Sequence, residues 1–248
     1  MTASEKSDLA RFLDLAHAVA RGGGYLDGRP EYDFADDPEI GDLSPLPPHD
    51  SDTLERIEAD VRSCTACRLC EGRKNAVPGE GFARPTVMVI GEGPGQSEDE
   101  SGRPFVGKAG QLLDKMLAAI GLSRETNCFI ANVVKCRPPG NRDPQPDETA
   151  ACRPFLERQA MLLKPAFVLC AGRVAARNLL DTDEPIGRLR GRVSGIEIAG
   201  MTIPFLATYH PSALLRNEDL KRPAWEDLKL LRSSIDKAGL APSETGKT

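Results

Sequence analysis

The chain has 248 residues, of which 40% are hydrophobic and only 5% aromatic, a composition typical of a water-soluble globular protein. No stretch approaches 18 uninterrupted apolar residues, which argues against a membrane span, and the mixed charges at the N-terminus are not those of a secretory signal. The seven cysteines are too few for a disulfide scaffold, so we expect a reducing, cytoplasmic compartment and a metal or redox use.

The net charge of −5 is an average over two unlike parts of the chain. Residues 1–60 contain 5 Lys and Arg against 15 Asp and Glu, whereas residues 61–248 contain 27 against 22. A mildly basic body behind an acidic leader remains compatible with a polyanionic ligand.

Three segments follow from the pattern along the chain. Apolar residues at helical spacing predict a helix over residues 4–20, and the stretch to residue 52 is rich in Gly, Pro and Asp, as linkers are. We therefore predict an acidic helix plus linker at 1–52, a folded domain at 53–238, and a disordered tail at 239–248.

Four short apolar runs, rich in β-branched residues, predict strands that are buried on both faces: 86–91, 128–134, 166–172 and 203–209. Helical patterns alternate with them near residues 108–120, 147–162, 172–180 and 223–237. This alternation predicts a three-layer α/β/α sandwich around a central four-stranded, mainly parallel sheet. Residues 192–198 have the pattern of one arm of a hairpin with the last strand. Ligands of such sheets bind beyond the carboxyl ends of the strands.

The cysteines form a suggestive pattern of their own. Cys64, Cys67 and Cys70 make a CxxCxxC run, and Cys136 and Cys152 are each followed by Arg-Pro. Thiolates two residues apart can share a metal ion or a cluster, because a tight turn brings both sulfurs inward. From the residues alone, a zinc site, an iron–sulfur cluster and a set of reduced core cysteines all remain open.

Five motifs occur in a specific order: Cys-x-x-Cys, Gly-Glu-Gly-Pro-Gly at 91–95, Gly-Arg-Pro-Phe-Val-Gly at 102–107, Asn-Val-Val-Lys-Cys-Arg-Pro-Pro at 132–139 and His-Pro-Ser at 210–212. Together they resemble the motifs of the family 4, iron–sulfur uracil-DNA glycosylases, over about residues 54–235. The resemblance implies that the domain at 53–238 has the uracil-DNA glycosylase fold. It also implies a monofunctional DNA-repair enzyme that flips uracil out of DNA and hydrolyses its N-glycosidic bond, leaving an abasic site.

The same resemblance implies a cofactor and its ligands. Cys64, Cys67, Cys136 and Cys152 match the four ligands of the family's [4Fe–4S] cluster, and Cys70 is not among them. The partner it implies is uracil-containing DNA, single- or double-stranded, and we expect a monomer that does not bind membranes.

The resemblance also assigns the pocket. It places Glu92 and Gly93 against the sugar and the scissile bond, stacks Phe105 on the flipped uracil, and sets Asn132 to read the uracil edge. His210 would face the uracil O2 oxygen, where a hydrogen-bond donor stabilises the departing anion. Glu92 and His210 are therefore the predicted catalytic residues.

Two further assignments are less direct. Gly95 stands where a related family has a tyrosine that excludes thymine, and Glu98 is predicted to fill that gap in the substrate pocket. Leu214 and Leu215 follow the His-Pro-Ser motif as a DNA wedge would, although a helix that packs two leucines into the core fits equally well.

Three other functions remain at this point. A related iron–sulfur protein binds uracil-DNA covalently through a histidine, but residues 138–144 contain none. The other two are a non-catalytic, zinc-stapled nucleic-acid-binding module and an electron-transfer iron–sulfur protein. The latter would leave the matched pocket residues without a role.

Overall fold

The computed structural model describes residues 52–240. The predicted N-terminal helix, almost all of the linker and residues 241–248 of the predicted tail lie outside this range, so the predicted segment boundaries stay predictions. Among the described residues, no helix is both long and apolar enough to cross a bilayer.

A mixed sheet forms the centre of the fold. Its six strands are β1 (Glu80–Gly81), β2 (Val87–Gly91), β3 (Cys128–Asn132), β4 (Phe167–Ala171), β5 (Val193–Ile198) and β6 (Met201–Thr208), in the spatial order β1-β3-β2-β4-β6-β5. Strands β3, β2, β4 and β6 are parallel, and β1 and β5 pair antiparallel at the two edges.

The predicted α/β class and mainly parallel sheet are confirmed, whereas the predicted number of four strands is wrong. The four parallel strands are the four predicted apolar runs, and the predicted hairpin arm is β5. The two edge strands escape a search for apolar runs because β1 has only two residues and β5 is mostly exposed.

Helices cover both faces of the sheet, and Val87 and Val89 of β2 face one layer while Met88 and Ile90 face the other. The helices are α1 (Leu54–Ser63), α2 (Leu69–Gly72), α3 (Gln96–Ser101), α4 (Lys108–Ala118), α5 (Pro146–Leu163), α6 (Arg173–Leu180), α7 (Ile186–Leu189), α8 (Pro211–Arg216) and α9 (Lys221–Lys237). Side chains of α4 and α9 pack on the first face, and side chains of α1, α5 and α6 on the second.

The parallel strands bring distant motifs to one edge of the sheet. Gly91 ends β2 and pairs in register with Asn132, which ends β3. Gly172 follows β4, and His210 follows β6 by two residues. The sheet therefore gathers three of the predicted motifs at its carboxyl edge, where ligands of such sheets bind.

The loop between α3 and α4 has an unusual backbone. Phe105 is buried and has a φ of 52°, in the left-handed region that costs a bulky residue about 1–3 kcal/mol. It lies directly on Gly110 of α4, where an added Cβ would be 1.8 Å from the Phe105 carbonyl oxygen. Only a glycine at position 110 lets the loop approach the helix this closely.

We predict that Gly110→Ala destabilises the protein by about 1–3 kcal/mol or more, because the new methyl group must displace the Phe105 backbone. The matched control is Gly187→Ala in α7, where an added Cβ meets nothing within 4 Å. That change should leave stability equal or raise it by up to about 1 kcal/mol, because alanine favours helix. Urea unfolding measures both free energies, and equal values for the two variants would contradict this packing.

Candidate active site

Two of the predicted pocket residues, Asn132 and Phe105, meet above Gly91, and a third, His210, lies beside Phe105. An added Cβ at Gly91 would lie 2.5 Å from the Asn132 Oδ1 atom and 2.6 Å from the Phe105 Cζ atom. The rings of Phe105 and His210 have centroids 5.6 Å apart and planes inclined at 32°. The structure thus brings an aromatic face, an amide and an imidazole together, although they are far apart in the sequence.

The Asn132 side chain presents an unpaired acceptor. The residue is 1% exposed, and its Oδ1 is the one buried side-chain oxygen or nitrogen among the described residues that lacks a hydrogen-bond partner. Leaving a buried acceptor unpaired costs about 1–3 kcal/mol, so such an atom at the end of a strand indicates a place for a donor from a ligand.

The position of His210 at the start of α8 defines its tautomer. The Ser212 backbone N–H donates to His210 Nδ1 over 3.1 Å, and the Ser212 hydroxyl lies 2.8 Å from the same nitrogen. Because Nδ1 accepts, the proton of the neutral ring is on Nε2. Burial, with a smaller contribution from Arg216, lowers the pKa of His210 to about 4. The imidazole is therefore neutral at physiological pH and offers one N–H donor.

Glu92 lies in a different electrostatic environment. Burial is the main cause that raises its pKa to about 7, the negative charge of Asp143 adds to the rise, and Arg173 opposes it. Arg173 and Asp143 form an ion pair of 2.7 Å. At Gly93 the loop after β2 comes close to the segment that follows β3, because an added Cβ would be 2.8 Å from a methyl group of Val134.

Glu98 connects two of the motifs. Its Oε1 accepts from the backbone N–H groups of Val106 and Gly107 at 2.8 and 2.9 Å, and its Oε2 accepts from Gly95 at 3.1 Å. Both carboxylate oxygens are thus engaged by the loops on either side of α3. The predicted contact of Glu98 with substrate stays a prediction.

The two predicted wedge leucines have different environments. Leu214 is 2% exposed and belongs to the core, whereas Leu215 is 51% exposed. A side chain that enters a base stack must project from the surface. Leu215 is the more exposed of the two, and the predicted wedge stays a prediction.

The cysteines lie around a second site. Cys64, Cys67, Cys70, Cys136 and Cys152 line one small cavity between α1, the α2 segment and α5. All seven cysteines of the chain lie in the described range and are free of disulfides. Within that range, no three His, Cys, Asp or Glu side chains are arranged as ligands of one metal ion.

Hydrogen-bond donors point at the sulfurs of this cavity. The Arg73 guanidinium donates to Cys136 Sγ over 3.1 Å, and the Lys135 backbone N–H donates to Cys152 Sγ over 3.2 Å. Burial raises the pKa of Cys152 to about 11, so its thiolate needs compensating positive charge. Soft sulfur ligands with N–H groups aimed at them are the donor set of thiolate-bound metal centres.

Several residues that build the pocket are not assigned by the sequence motifs. Arg124 and Gly110 hold the backbone of Phe105, and Asp143 and Arg173 flank Glu92. Gly110 lies in an ordinary helical pattern and Arg124 in an ordinary turn pattern, and neither pattern carries a signal for a long-range contact. Ser212 stands inside the quoted His-Pro-Ser motif, and its spacing from His210 is that of a helix cap.

The chain is similar in sequence to a family of known proteins. A model of the uracil DNA glycosylase superfamily matches residues 78–229. The type-4 uracil-DNA glycosylase of Saccharolobus solfataricus is 43% identical over 74% of this chain and 87% of the relative. That of Sulfurisphaera tokodaii is 43% identical over 73% and 84%, and that of Thermotoga maritima is 42% identical over 75% and 96%. The predicted family is confirmed: the chain belongs to the uracil DNA glycosylase superfamily, among the relatives of the type-4 enzymes.

Proposed function

We propose that this protein excises uracil from DNA in the pocket above Gly91, with His210 and Glu92 as the catalytic residues. The activity is that of the family, a uracil-DNA glycosylase of DNA repair that hydrolyses N-glycosyl bonds. The observation that carries the assignment of the pocket is the unpaired Asn132 Oδ1, which lies above Gly91 with the Phe105 ring, and that ring in turn lies beside His210.

The pocket groups complement a flipped uracil. Uracil has an N3–H donor between two carbonyl acceptors, and the Asn132 carboxamide supplies an acceptor for N3–H and a donor for O4. Cytosine has an acceptor at N3, so it would leave Oδ1 unpaired and place two acceptors against each other. The Phe105 ring supplies a stacking face, worth about 1–3 kcal/mol for a base.

Cleavage of the N-glycosidic bond develops negative charge on the departing uracil and positive charge on the sugar. In the proposed mechanism, the Nε2–H of neutral His210 donates to the uracil O2 and stabilises the anion. The Ser212 contacts at Nδ1 hold this donor in place before the reaction begins, so little reorganisation accompanies charge formation.

Glu92 serves the other side of the bond. As a carboxylate it offsets the positive charge of the sugar or orients the attacking water. Gly93 stands where a related family has an aspartate, so Glu92 is the carboxylate of this motif that can do so.

A lyase reaction needs an amine nucleophile that reaches the sugar. Lys135 is the lysine nearest the pocket motifs in sequence, but its Nζ is buried and donates to the Asn132 backbone carbonyl and to Gln159 Oε1 at 3.1 and 2.7 Å. We therefore infer that the enzyme leaves an abasic site in an intact strand.

We propose that Cys64, Cys67, Cys136 and Cys152, which line the cysteine cavity, hold a [4Fe–4S] cluster. The resemblance to the family 4 enzymes favours a cluster over a zinc site, and the N–H donors at Cys136 Sγ and Cys152 Sγ suit a thiolate-bound group. Bound there, the cluster would cross-link three chain segments, and the free thiols fit the expected reducing compartment.

We predict that His210→Ala lowers the single-turnover rate on uracil-containing oligonucleotides by about 10²–10³, because the donor to O2 is lost. DNA affinity should change much less, since phosphate contacts supply most of it. As a control, Ser212→Ala retains the backbone N–H at Nδ1 and should keep a rate well above that of His210→Ala. Full activity in His210→Ala, or a protein–DNA adduct trapped by borohydride, would contradict the mechanism.

We predict an acid limb near pH 7 in the kcat/KM profile, because Glu92 must ionise and its pKa is about 7. Glu92→Gln should remove the limb and lower the rate. Since the Asp143 charge raises this pKa and the Arg173 charge lowers it, Asp143→Asn should move the limb to lower pH and Arg173→Gln to higher pH. If the acid limb moved in the same direction in both variants, this role of Glu92 would be contradicted.

We predict that the purified protein is yellow-brown and contains about four iron and four sulfide ions per chain. Cys67→Ser and Cys152→Ser should lose the visible absorbance and the thermal stability, whereas Cys70→Ala, a substitution at the same cavity, should retain both. Stoichiometric zinc without visible absorbance would overturn the cluster assignment.

A further inference from the structure

Arg124, in the turn between α4 and β3, reaches across to the loop that carries Phe105. It is 8% exposed, its Nη1 donates to the Pro104 carbonyl over 3.0 Å, and its Nη2 donates to the Phe105 carbonyl over 3.0 Å. Its Nε and Nη2 also contact Asp114 Oδ1 at 3.1 and 2.8 Å, which fixes the orientation of the guanidinium plane.

These two carbonyl contacts occur where the backbone is strained. The left-handed φ of 52° at Phe105 turns two successive carbonyls toward the interior, where each needs a donor. A guanidinium presents two parallel N–H donors in a rigid plane, which a lysine ammonium cannot do.

A second side chain, the carboxylate of Glu98, also binds the backbone of the loop between α3 and α4. Glu98 accepts the N–H groups of Val106 and Gly107, the two residues that follow Phe105. The backbone at Phe105 therefore lies between a guanidinium that donates to the Pro104 and Phe105 carbonyls and a carboxylate that accepts from the next two amides.

We propose that Arg124 is a positioning residue for uracil: its two bonds to the Pro104 and Phe105 carbonyls hold the Phe105 ring in the pocket, against His210. The proposal rests on the proposed function, in which this ring stacks on the flipped base. The ion pairs of Arg124 with Glu80 and Asp114 involve partly exposed carboxylates, so they alone contribute little.

The test variant is Arg124→Lys, which retains the charge and a contact with Asp114 but cannot bind both carbonyls. We expect kcat/KM for uracil excision to fall about 10–100-fold, the effect of losing charge-assisted hydrogen bonds. The matched control is Arg103→Lys. Arg103 pairs with the same Glu80 at 2.6 and 2.8 Å, but its side chain is 60% exposed and no bond links it to a pocket carbonyl. It should retain wild-type activity.

A double-mutant cycle separates positioning from general destabilisation. If Arg124 acts through the ring, adding Arg124→Lys to Phe105→Ala should lower kcat/KM by less than about twofold further. If the same 10–100-fold loss occurs in both backgrounds, the proposal is overturned. Should Arg124→Lys fail to fold, Asp114→Asn, which loosens the guanidinium only, should give a smaller loss that also disappears in Phe105→Ala.

A readout without DNA distinguishes failure of this proposal from failure of the proposed function. The His210 ring protons feel the ring current of Phe105, since the two centroids are 5.6 Å apart. Their NMR shifts should change in Arg124→Lys in the same direction as in Phe105→Ala, and stay unchanged in Arg103→Lys. Unchanged His210 shifts in folded Arg124→Lys would refute the positioning role, whether or not the wild-type protein excises uracil.

Discussion

The pocket depends on the absence of a side chain at Gly91. The end of β2 is the floor on which Asn132 and Phe105 approach each other, and a single methyl group there would overlap both. Parallel strands deliver Gly91 and Asn132 to the same edge in register, so the sheet itself provides the alignment. The remaining groups are then added by loops, which is why the loop conformations need the separate supports that Gly110, Glu98 and Arg124 provide.

Burial has opposite consequences for the two titratable groups of this site. It raises the pKa of the Glu92 carboxyl to about 7 and lowers that of the His210 imidazole to about 4. Each group is thereby moved toward its neutral form, in which a buried pocket is least unfavourable. A neutral imidazole can donate a hydrogen bond without carrying charge, whereas the carboxyl changes its charge near pH 7, so the proposed mechanism can give the two groups different roles.

The sequence predicts those features that come from repeated local patterns. The four parallel strands and the helices between them follow from apolar runs and helical spacing, and the motif order is sufficient to identify the family. The left-handed backbone of Phe105 is different, because nothing in an aromatic residue's local sequence requires it. It is accompanied by contacts of Phe105 with Gly110 and Arg124, which lie 5 and 19 positions away, and by the bonds of Glu98 to the two residues that follow Phe105. Likewise, Asp143 and Arg173 influence Glu92 only because the fold brings a loop and a helix start beside β2.

The pocket above Gly91 and the cysteine cavity are joined by the short segment 132–136. Asn132 ends β3 in the pocket, and Cys136 lines the cavity four residues later. Between them, Lys135 donates through its side chain to the Asn132 carbonyl and through its backbone to Cys152 Sγ, so it touches both sites. An unpaired amide oxygen stays in place only if the surrounding chain cannot relax to find it a partner. The far end of this segment is held by two hydrogen bonds at the cysteine cavity, from Arg73 to Cys136 Sγ and from the Lys135 N–H to Cys152 Sγ, so both ends of the short segment have fixed partners.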